Sequence, residues 1–185
     1  MKKGKRNTLK IVSSGLFIAI GIILPFFTGQ IPEIGKMLLP MHIPVFLCGF
    51  LCGPLYGGAV GFITPILRSA IFGMPPFFPN ALIMAFELLV YGLASGFLFE
   101  SFPKKRMYIY LSLILSMILG RIFWGILSFL VFTLLGNSFT WEAFMSGALF
   151  TAIPGIILQI VLIPPIVIIL KKGYSAGKRG RKYGA

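Results

Sequence analysis

Acidic residues are scarce in this chain. Its 185 residues include four Glu, no Asp, one His and two Cys. Enzyme active sites usually bring several acidic, basic or nucleophilic groups together. The sequence has no paired carboxylates, no Cys/His metal-ligand spacing and no Gly-rich phosphate loop. It therefore does not predict an enzyme, and we predict neither a metal centre, nor a cofactor, nor an ATP site within the chain.

Charge of either sign is also sparse. Charged residues make up 11% of the chain and hydrophobic residues 57%, whereas soluble domains carry about 25% charged residues. A helix needs about 20 apolar residues to cross a bilayer. Apolar runs of this kind cover residues 9–27, 39–53, 55–72, 81–99, 107–135 and 145–170. We predict an all-α polytopic membrane protein, a bundle of six transmembrane helices over residues 9–170. Residues 1–8 form a basic N-terminus, and residues 171–185 a basic tail that we predict to be disordered.

The basic residues predict the orientation of this bundle. All of the 17 Lys and Arg residues except Lys36, Arg68 and Arg121 lie in the first ten residues, the 104–106 turn or the C-terminal tail. Cytoplasmic loops carry an excess of Lys and Arg. With six crossings, both basic termini lie in the cytoplasm. We predict that the protein resides in the plasma membrane. The net charge of +13 is thereby explained by the membrane rather than by nucleic acid.

Polar groups inside the predicted helices are the candidates for function. An ionisable side chain at a helix centre costs about 2.5–3.5 kcal/mol on insertion scales, yet Arg68, Glu87 and Arg121 lie within apolar segments. At 1.5 Å per residue, these groups converge on the outer half of the bundle. We predict a substrate-binding site there, formed by these three residues together with others near the same level: His42, Asn80, Trp124 and Gln159.

Structural interpretations of these residues stay open. Glu87 could pair with one Arg only to hold helices together, since buried ion pairs also occur for packing. Arg68 could extend its head group to the membrane surface, and His42 could be a hydrogen bonder beside the helix-breaking Pro40 and Pro44. However, two Arg against one Glu leave one positive charge in the membrane. A carboxylate or phosphate on a ligand would balance it, because the guanidinium group binds such anions bidentately.

The pattern of short helices and intramembrane polar groups resembles the substrate-binding (S) components of energy-coupling factor (ECF) vitamin transporters. The resemblance is carried by LPMHIPVFLCGFLCGPLYGGAVGFITPILRS (residues 39–69) and FGMPPFFPNALIMAFELLVYGLASG (residues 72–96). The runs LGRIFWGI (residues 119–126) and AIPGIILQIVLIPPIV (residues 152–167) extend it.

The resemblance implies a function and partners. Such a subunit would capture a vitamin from outside, topple in the membrane onto an integral coupling (T) subunit, and release the vitamin when two ATPase subunits drive the cycle. Docking would use small residues on the first helix, here Gly15 and Ala19. The 29–38 loop, with the loops near Pro75 and Trp141, would cap the pocket.

The excess of Arg favours pantothenate as the vitamin, followed by pyridoxine or a hydroxymethylpyrimidine thiamin precursor. Three other functions remain as alternatives: a stand-alone small-solute transporter, a polytopic membrane enzyme and an assembly subunit. A carrier of the first kind is often built from internal repeats, and we find none between residues 9–99 and 107–170.

Overall fold

All regular elements in the described part of the chain are helical. The computed structural model describes residues 3–28, 31–103, 105–136, 140–147 and 151–180. Its α-helices are α1 (Lys3–Ile23), α2 (Pro32–Leu38), α3 (His42–Cys52), α4 (Pro54–Phe72), α5 (Leu82–Ser101), α6 (Arg106–Leu134), α7 (Trp141–Met145) and α8 (Ile153–Gly180). A 3-10 turn, Leu24–Thr28, follows α1, and a π-helical turn, Phe77–Ala81, precedes α5. The predicted all-α fold class is confirmed.

Several of these helices are membrane spans by length and composition. In the described ranges, five stretches are long and apolar enough to cross a bilayer: Asn7–Phe27, Pro54–Phe72, Phe77–Ser101, Arg106–Leu134 and Ile153–Lys171. The sixth predicted segment is the shorter apolar helix α3, which has 11 residues. All but two of its side chains are buried, so α3 lies inside the bundle, where the other helices shield it from lipid.

Two short helices occupy segments that we predicted as loops. Helix α2 begins at Pro32, whose fixed φ and missing N–H suit the first turn of a helix. It ends at Leu39, whose φ of 50° is left-handed and whose N–H donates to the Gly35 carbonyl at 3.0 Å. Helix α7 lies in the predicted loop near Trp141. Residues 29, 30 and 139, which we expected in the outer loops, lie outside the described residues.

Proline places the beginning of α3. Pro40 precedes the helix, and Pro44 lies in its first turn, where a missing N–H removes no intrahelical hydrogen bond. His42 is therefore the first residue of α3, with its N–H donating to the Leu39 carbonyl at 3.1 Å. Helix α3 ends at Gly53, whose φ of 102° suits glycine, and α4 begins at once with Pro54. These turns place α3 directly against α4.

Glycine allows α3, α4 and α5 to pack at very short range. A Cβ atom built on Gly57 of α4 would lie 2.6 Å from the Cα of Gly49 in α3 and 2.7 Å from the carbonyl oxygen of Gly92 in α5. Real side chains do not approach so closely, so only glycine fits at this crossing. Three backbones meeting here hold α3 and α5 in a defined register. That register brings His42 and Glu87 together.

The last helix runs past residue 170, where we predicted the membrane domain to end. Helix α8 continues to Gly180, through the first part of the tail for which we predicted disorder. Pro164 and Pro165 lie within α8, where apolar neighbours rather than local propensity hold the helix. The described helices thus form a bundle whose core lies around α3 and α5, with the buried side chains Phe46, Leu88, Tyr91 and Leu113 among its largest members.

Candidate functional site

Glu87 is the centre of a buried polar cluster. It lies in the second turn of α5 and is 3% exposed. Its Oε1 atom is 3.1 Å from Nη1 of Arg121, which lies near the middle of α6. The same oxygen accepts a hydrogen bond from the Tyr91 hydroxyl at 3.1 Å. Glu87 thus pairs with one arginine, Arg121, a contact that the sequence left open as a structural alternative to substrate binding.

His42 completes the cluster from α3. Its Nε2 atom is 3.8 Å from Glu87 Oε1, close enough for an ion pair when the imidazole is protonated. The His42 ring packs against the Tyr91 ring at a centroid distance of 5.2 Å. Tyr91 in turn packs against Phe46 at 5.1 Å. We call His42, Glu87, Tyr91 and Arg121 the Glu87 cluster; it joins α3, α5 and α6.

Aromatic side chains extend from the cluster towards α7. The Arg121 guanidinium lies 5.8 Å from the centre of the Trp124 ring. The Trp124 ring stacks on Phe144 of α7 at 6.1 Å, and Phe144 contacts Trp141 at 5.3 Å. Helix α7 is held against α6 because Gly125 leaves room for the Phe144 ring, which a Cβ atom at this position would overlap. The two ends of this aromatic row are thus the Glu87 cluster and the predicted outer face.

The cluster retains hydrogen-bonding groups that no described residue uses. His42 Nδ1 and Nε2 and Arg121 Nε are buried and have no hydrogen-bond partner among the described residues. Leaving a buried polar group unsatisfied costs about 1–3 kcal/mol, so such atoms call for an explanation. Two of the three belong to the imidazole and the third is a guanidinium N–H. The arrangement therefore offers spare donors to a molecule rich in acceptor atoms.

Arg68 lies apart from the contacts of the Glu87 cluster. Its Nη1 donates to the Ile22 carbonyl at 2.6 Å, near the end of α1. The guanidinium lies against the edge-on pair of Phe26 and Phe72, 5.3 and 5.7 Å from their ring centres. Carbonyls at the end of a helix lack intrahelical partners, so Arg68 caps α1 from α4. At 3% exposure it is buried in the described structure, which disfavours the interpretation that its head group reaches the membrane surface.

The structure places the remaining predicted site residues as follows. Gln159 of α8 is 1% exposed and donates a long hydrogen bond of 3.5 Å to the Leu39 carbonyl, which also accepts from the His42 N–H. Gln159 is thus linked to the beginning of α3. Asn80 is exposed in the π-helical turn before α5. Trp124 contacts the Glu87 cluster through Arg121. Whether these residues bind substrate stays a prediction.

The predicted docking pair lies on the outside of the bundle. Gly15 and Ala19 are exposed on α1, and no atom lies within 4 Å of a Cβ atom built on Gly15. A different glycine, Gly21, makes the close approach of α1 to its neighbours inside the chain, since a Cβ there would lie 2.7 Å from Cγ2 of Thr64. The Gly15 face is therefore open to a partner.

Among the polar residues of the bundle interior that sequence reasoning missed, two bear on the candidate site. Tyr91 lies one helical turn after Glu87, and this i, i+4 spacing could have indicated that the two side chains meet. Ser128 lies on the buried face of α6, seven residues after Arg121, and its hydroxyl has no hydrogen-bond partner in the described part of the chain. A serine in an apolar helix gives no comparable signal, because most such hydroxyls bond a carbonyl of their own helix.

An apolar groove of about 590 Å³ lies beside the aromatic row. It is lined by Ile122, Gly125, Ile126 and Phe129 of α6 and by Thr140, Trp141 and Phe144. No residue of the Glu87 cluster lines it, so it does not test the predicted site. Among the described residues, no group of three or more His, Cys, Asp or Glu side chains is placed to hold a metal ion.

Comparison with known proteins gives one significant result. The family model described as "ECF transporter, substrate-specific component" matches residues 9–167, which is most of the chain and covers the helices that form the Glu87 cluster. Searches of the curated proteins and of the solved structures gave no significant match. The chain therefore belongs to the family of substrate-specific components of ECF transporters, and it is an integral plasma-membrane subunit of a transporter rather than an enzyme.

Proposed function

We propose that this subunit captures a vitamin or vitamin precursor from outside the cell, with pantothenate as the first candidate. The observation that carries the proposal is the Glu87 cluster: four polar side chains joined in the bundle interior, with unused donors on His42 and Arg121. Polar groups inside a membrane protein are costly and commonly mark a solute site. Family membership supplies the general role; the choice of solute rests on chemistry.

Unused donors favour a ligand with acceptor atoms. Arg121 Nη1 is occupied by Glu87, but its Nε atom has no partner among the described residues, and one nitrogen of His42 carries a proton in either neutral form. A carboxylate on the solute would accept from both groups. A carboxylate offers several acceptor positions to these two donors, and Arg68, which caps α1 away from the cluster, does not enter this choice. Pantothenate carries one such carboxylate.

Pyridoxine or a hydroxymethylpyrimidine is the second candidate, and a specific observation favours it. The Glu87 cluster includes the Tyr91 ring and has the Trp124 ring beside Arg121. Either ring could stack on a planar heterocycle. In this case the Glu87 carboxylate would accept from a hydroxyl or amino group of the solute. Direct competition among the three solutes distinguishes the candidates.

Coupling to transport would use the open face of α1. We propose that Gly15 and Ala19 dock on an integral coupling subunit, and that two ATPase subunits drive release inside. In the membrane, small residues let helix backbones approach closely, and the space beside Gly15 supports this role. A Gly15→Leu variant should fold and bind solute but lose the partner subunits on purification. Retention of the partners by Gly15→Leu would exclude this docking face.

The solute is identified most directly by mass spectrometry of small molecules retained by the purified protein. Binding of pantothenate, pyridoxine and hydroxymethylpyrimidine is then measured on wild type and on Arg121→Ala. We expect the variant to lose at least tenfold in affinity, about 1.4 kcal/mol. Arg106→Ala, an exposed arginine at the beginning of the same helix, is the matched control. Equal affinity of Arg121→Ala and wild type for the retained solute would remove Arg121 from the site.

Copurification tests the transport assignment itself. A substrate-specific component that acts through partners should bring down an integral coupling protein and two ATPases. A stand-alone transporter would instead move solute in vesicles that contain this chain alone. Uptake by such vesicles without added ATPase subunits would contradict the proposed mechanism, whatever the solute.

A further inference from the structure

The buried hydroxyl of Ser128 has no explained role in the fold. Ser128 is 1% exposed, and its Oγ atom has no hydrogen-bond partner in the described part of the chain. Serine in a helix ordinarily bonds the carbonyl three or four residues earlier, as Ser116 of the same helix does with the Leu113 carbonyl at 2.8 Å. The Ser128 hydroxyl makes no such bond. It therefore has a donor and an acceptor available towards the bundle interior.

Ser128 is in line with the Glu87 cluster. Ser128 is among the buried residues of α6, and its spacing from Arg121 is close to two full turns, which places both on the same side of the helix. Seven residues separate Arg121 from Ser128, which corresponds to about 10 Å along the helix. With the N-terminus inside, α6 runs outward, so Ser128 lies on the outer side of Arg121. A solute that reaches the cluster from outside would pass it.

We propose that Ser128 lines the outer end of the solute pocket and that the pocket takes an elongated solute, with a carboxylate at the Glu87 cluster and a hydroxyl or carbonyl at Ser128. This inference rests on the proposed capture of a solute by the cluster and specifies the solute's shape. An open-chain molecule with polar groups at both ends, such as pantothenate, spans the separation of about 10 Å. A single-ring compound at the cluster leaves Ser128 without a partner.

The chain provides a matched control on the same helix. Ser112 is also fully buried on α6, and its Oγ atom likewise has no partner among the described residues. It lies nine residues before Arg121, on the inner side of the cluster. A solute entering from outside and stopping at the cluster does not reach it. The two substitutions therefore change the same type of buried side chain, and they differ in whether the residue lies on the inner or the outer side of the cluster.

The first test is independent of the solute's identity. Ser128→Cys and Ser112→Cys are treated from outside with trimethylammonioethyl methanethiosulfonate, whose fixed charge keeps it from crossing the membrane, and the parent protein, which contains Cys48 and Cys52, is treated in parallel as the background. We expect Ser128→Cys to react and Ser112→Cys to stay unmodified. If Ser128→Cys does not react, or both variants react equally, Ser128 does not line an outer pocket and the inference is wrong.

The second test measures the elongated shape. Ser128→Ala should bind pantothenate about three- to tenfold more weakly, the loss of one hydrogen bond, whereas Ser112→Ala should bind it as wild type does. N-acetyl-β-alanine keeps the carboxylate and lacks the hydroxyl end, so its affinity should be the same for all three proteins. Unchanged pantothenate binding by Ser128→Ala overturns the inference and leaves capture of pantothenate intact.

If the wild-type protein binds pyridoxine or hydroxymethylpyrimidine but not pantothenate, both the elongated shape and the first candidate solute are wrong. If Ser128→Cys reacts but the wild-type protein binds none of these compounds, the proposed solutes are wrong and the pocket at Ser128 stands. Failure of the inference and failure of the proposed function therefore give different results.

Discussion

Replacing Glu87 by Gln tests how the charged pair in the bundle interior contributes to stability. Oε1 of Glu87 is 3.1 Å from Arg121 Nη1, and the Glu87 side chain is 4% exposed against 14% for Arg121. At an effective dielectric constant of about 20, two unit charges at this distance attract by about 5 kcal/mol. The cost of removing both charges from water offsets much of this attraction. Removal of one charge leaves the other buried and unpaired.

The expected cost of a single substitution follows from that asymmetry. Breaking a buried ion pair by removing one partner costs about 3–5 kcal/mol, so Glu87→Gln and Arg121→Gln should each destabilise the protein by about that amount. The double variant should be within about 1–2 kcal/mol of wild type, because no uncompensated charge remains. Glu142→Gln, at an exposed position on α7, should change stability by less than about 0.5 kcal/mol.

The measurement is reversible unfolding in mixed detergent micelles, with the four proteins of the double-mutant cycle and the Glu142 control. The two single losses should sum to much more than the loss of the double variant. Losses that add within about 0.5 kcal/mol would show that Glu87 and Arg121 do not depend on each other. In that case the Glu87 cluster would not be a coupled unit, and the argument for its spare donors would lose its basis.

Three other substitutions give separate expectations. Gly57→Ala should destabilise the protein by about 1–3 kcal/mol or prevent assembly, since its Cβ would meet backbone atoms of two helices. Gly15→Ala should be neutral or stabilising because the space there is open. Thermal unfolding compares the two variants, and equal losses of stability would contradict the close packing at Gly57. Tyr91→Phe should keep its ring contacts but lose about 0.5–1.5 kcal/mol with its hydrogen bond to Glu87, and an unchanged unfolding free energy would argue against that bond. Arg68→Lys should lose stability although it keeps the charge, because a lysine cannot present the planar guanidinium that packs against two Phe rings and caps α1. If Arg68→Lys is as stable as wild type and only Arg68→Ala is impaired, the positive charge alone matters.

Hydropathy in the sequence determined the fold class. Long apolar runs can be stable only in lipid, and in lipid the backbone must satisfy its own hydrogen bonds as helix. The positions of the basic residues predicted an orientation for a similar reason, since the rule depends only on loops that follow one another along the chain. Glu87 was recognisable as a candidate because a carboxylate in such a run is costly wherever the run packs.

Tertiary structure alone decided which of these groups meet. Both Arg68 and Arg121 were candidates to pair with Glu87, and no local pattern separates them. The close crossing of α3, α4 and α5 at glycine brings His42 to Glu87, whereas Arg68 lies at the far end of α4 and caps α1. Tyr91 and Ser128 are likewise recognised only from the structure. Tyr91 donates a hydrogen bond to Glu87, and the Ser128 hydroxyl has no partner among the described residues. Contacts between distant segments depend on how helices pack, and packing depends on shape at each crossing rather than on the hydropathy of any single helix.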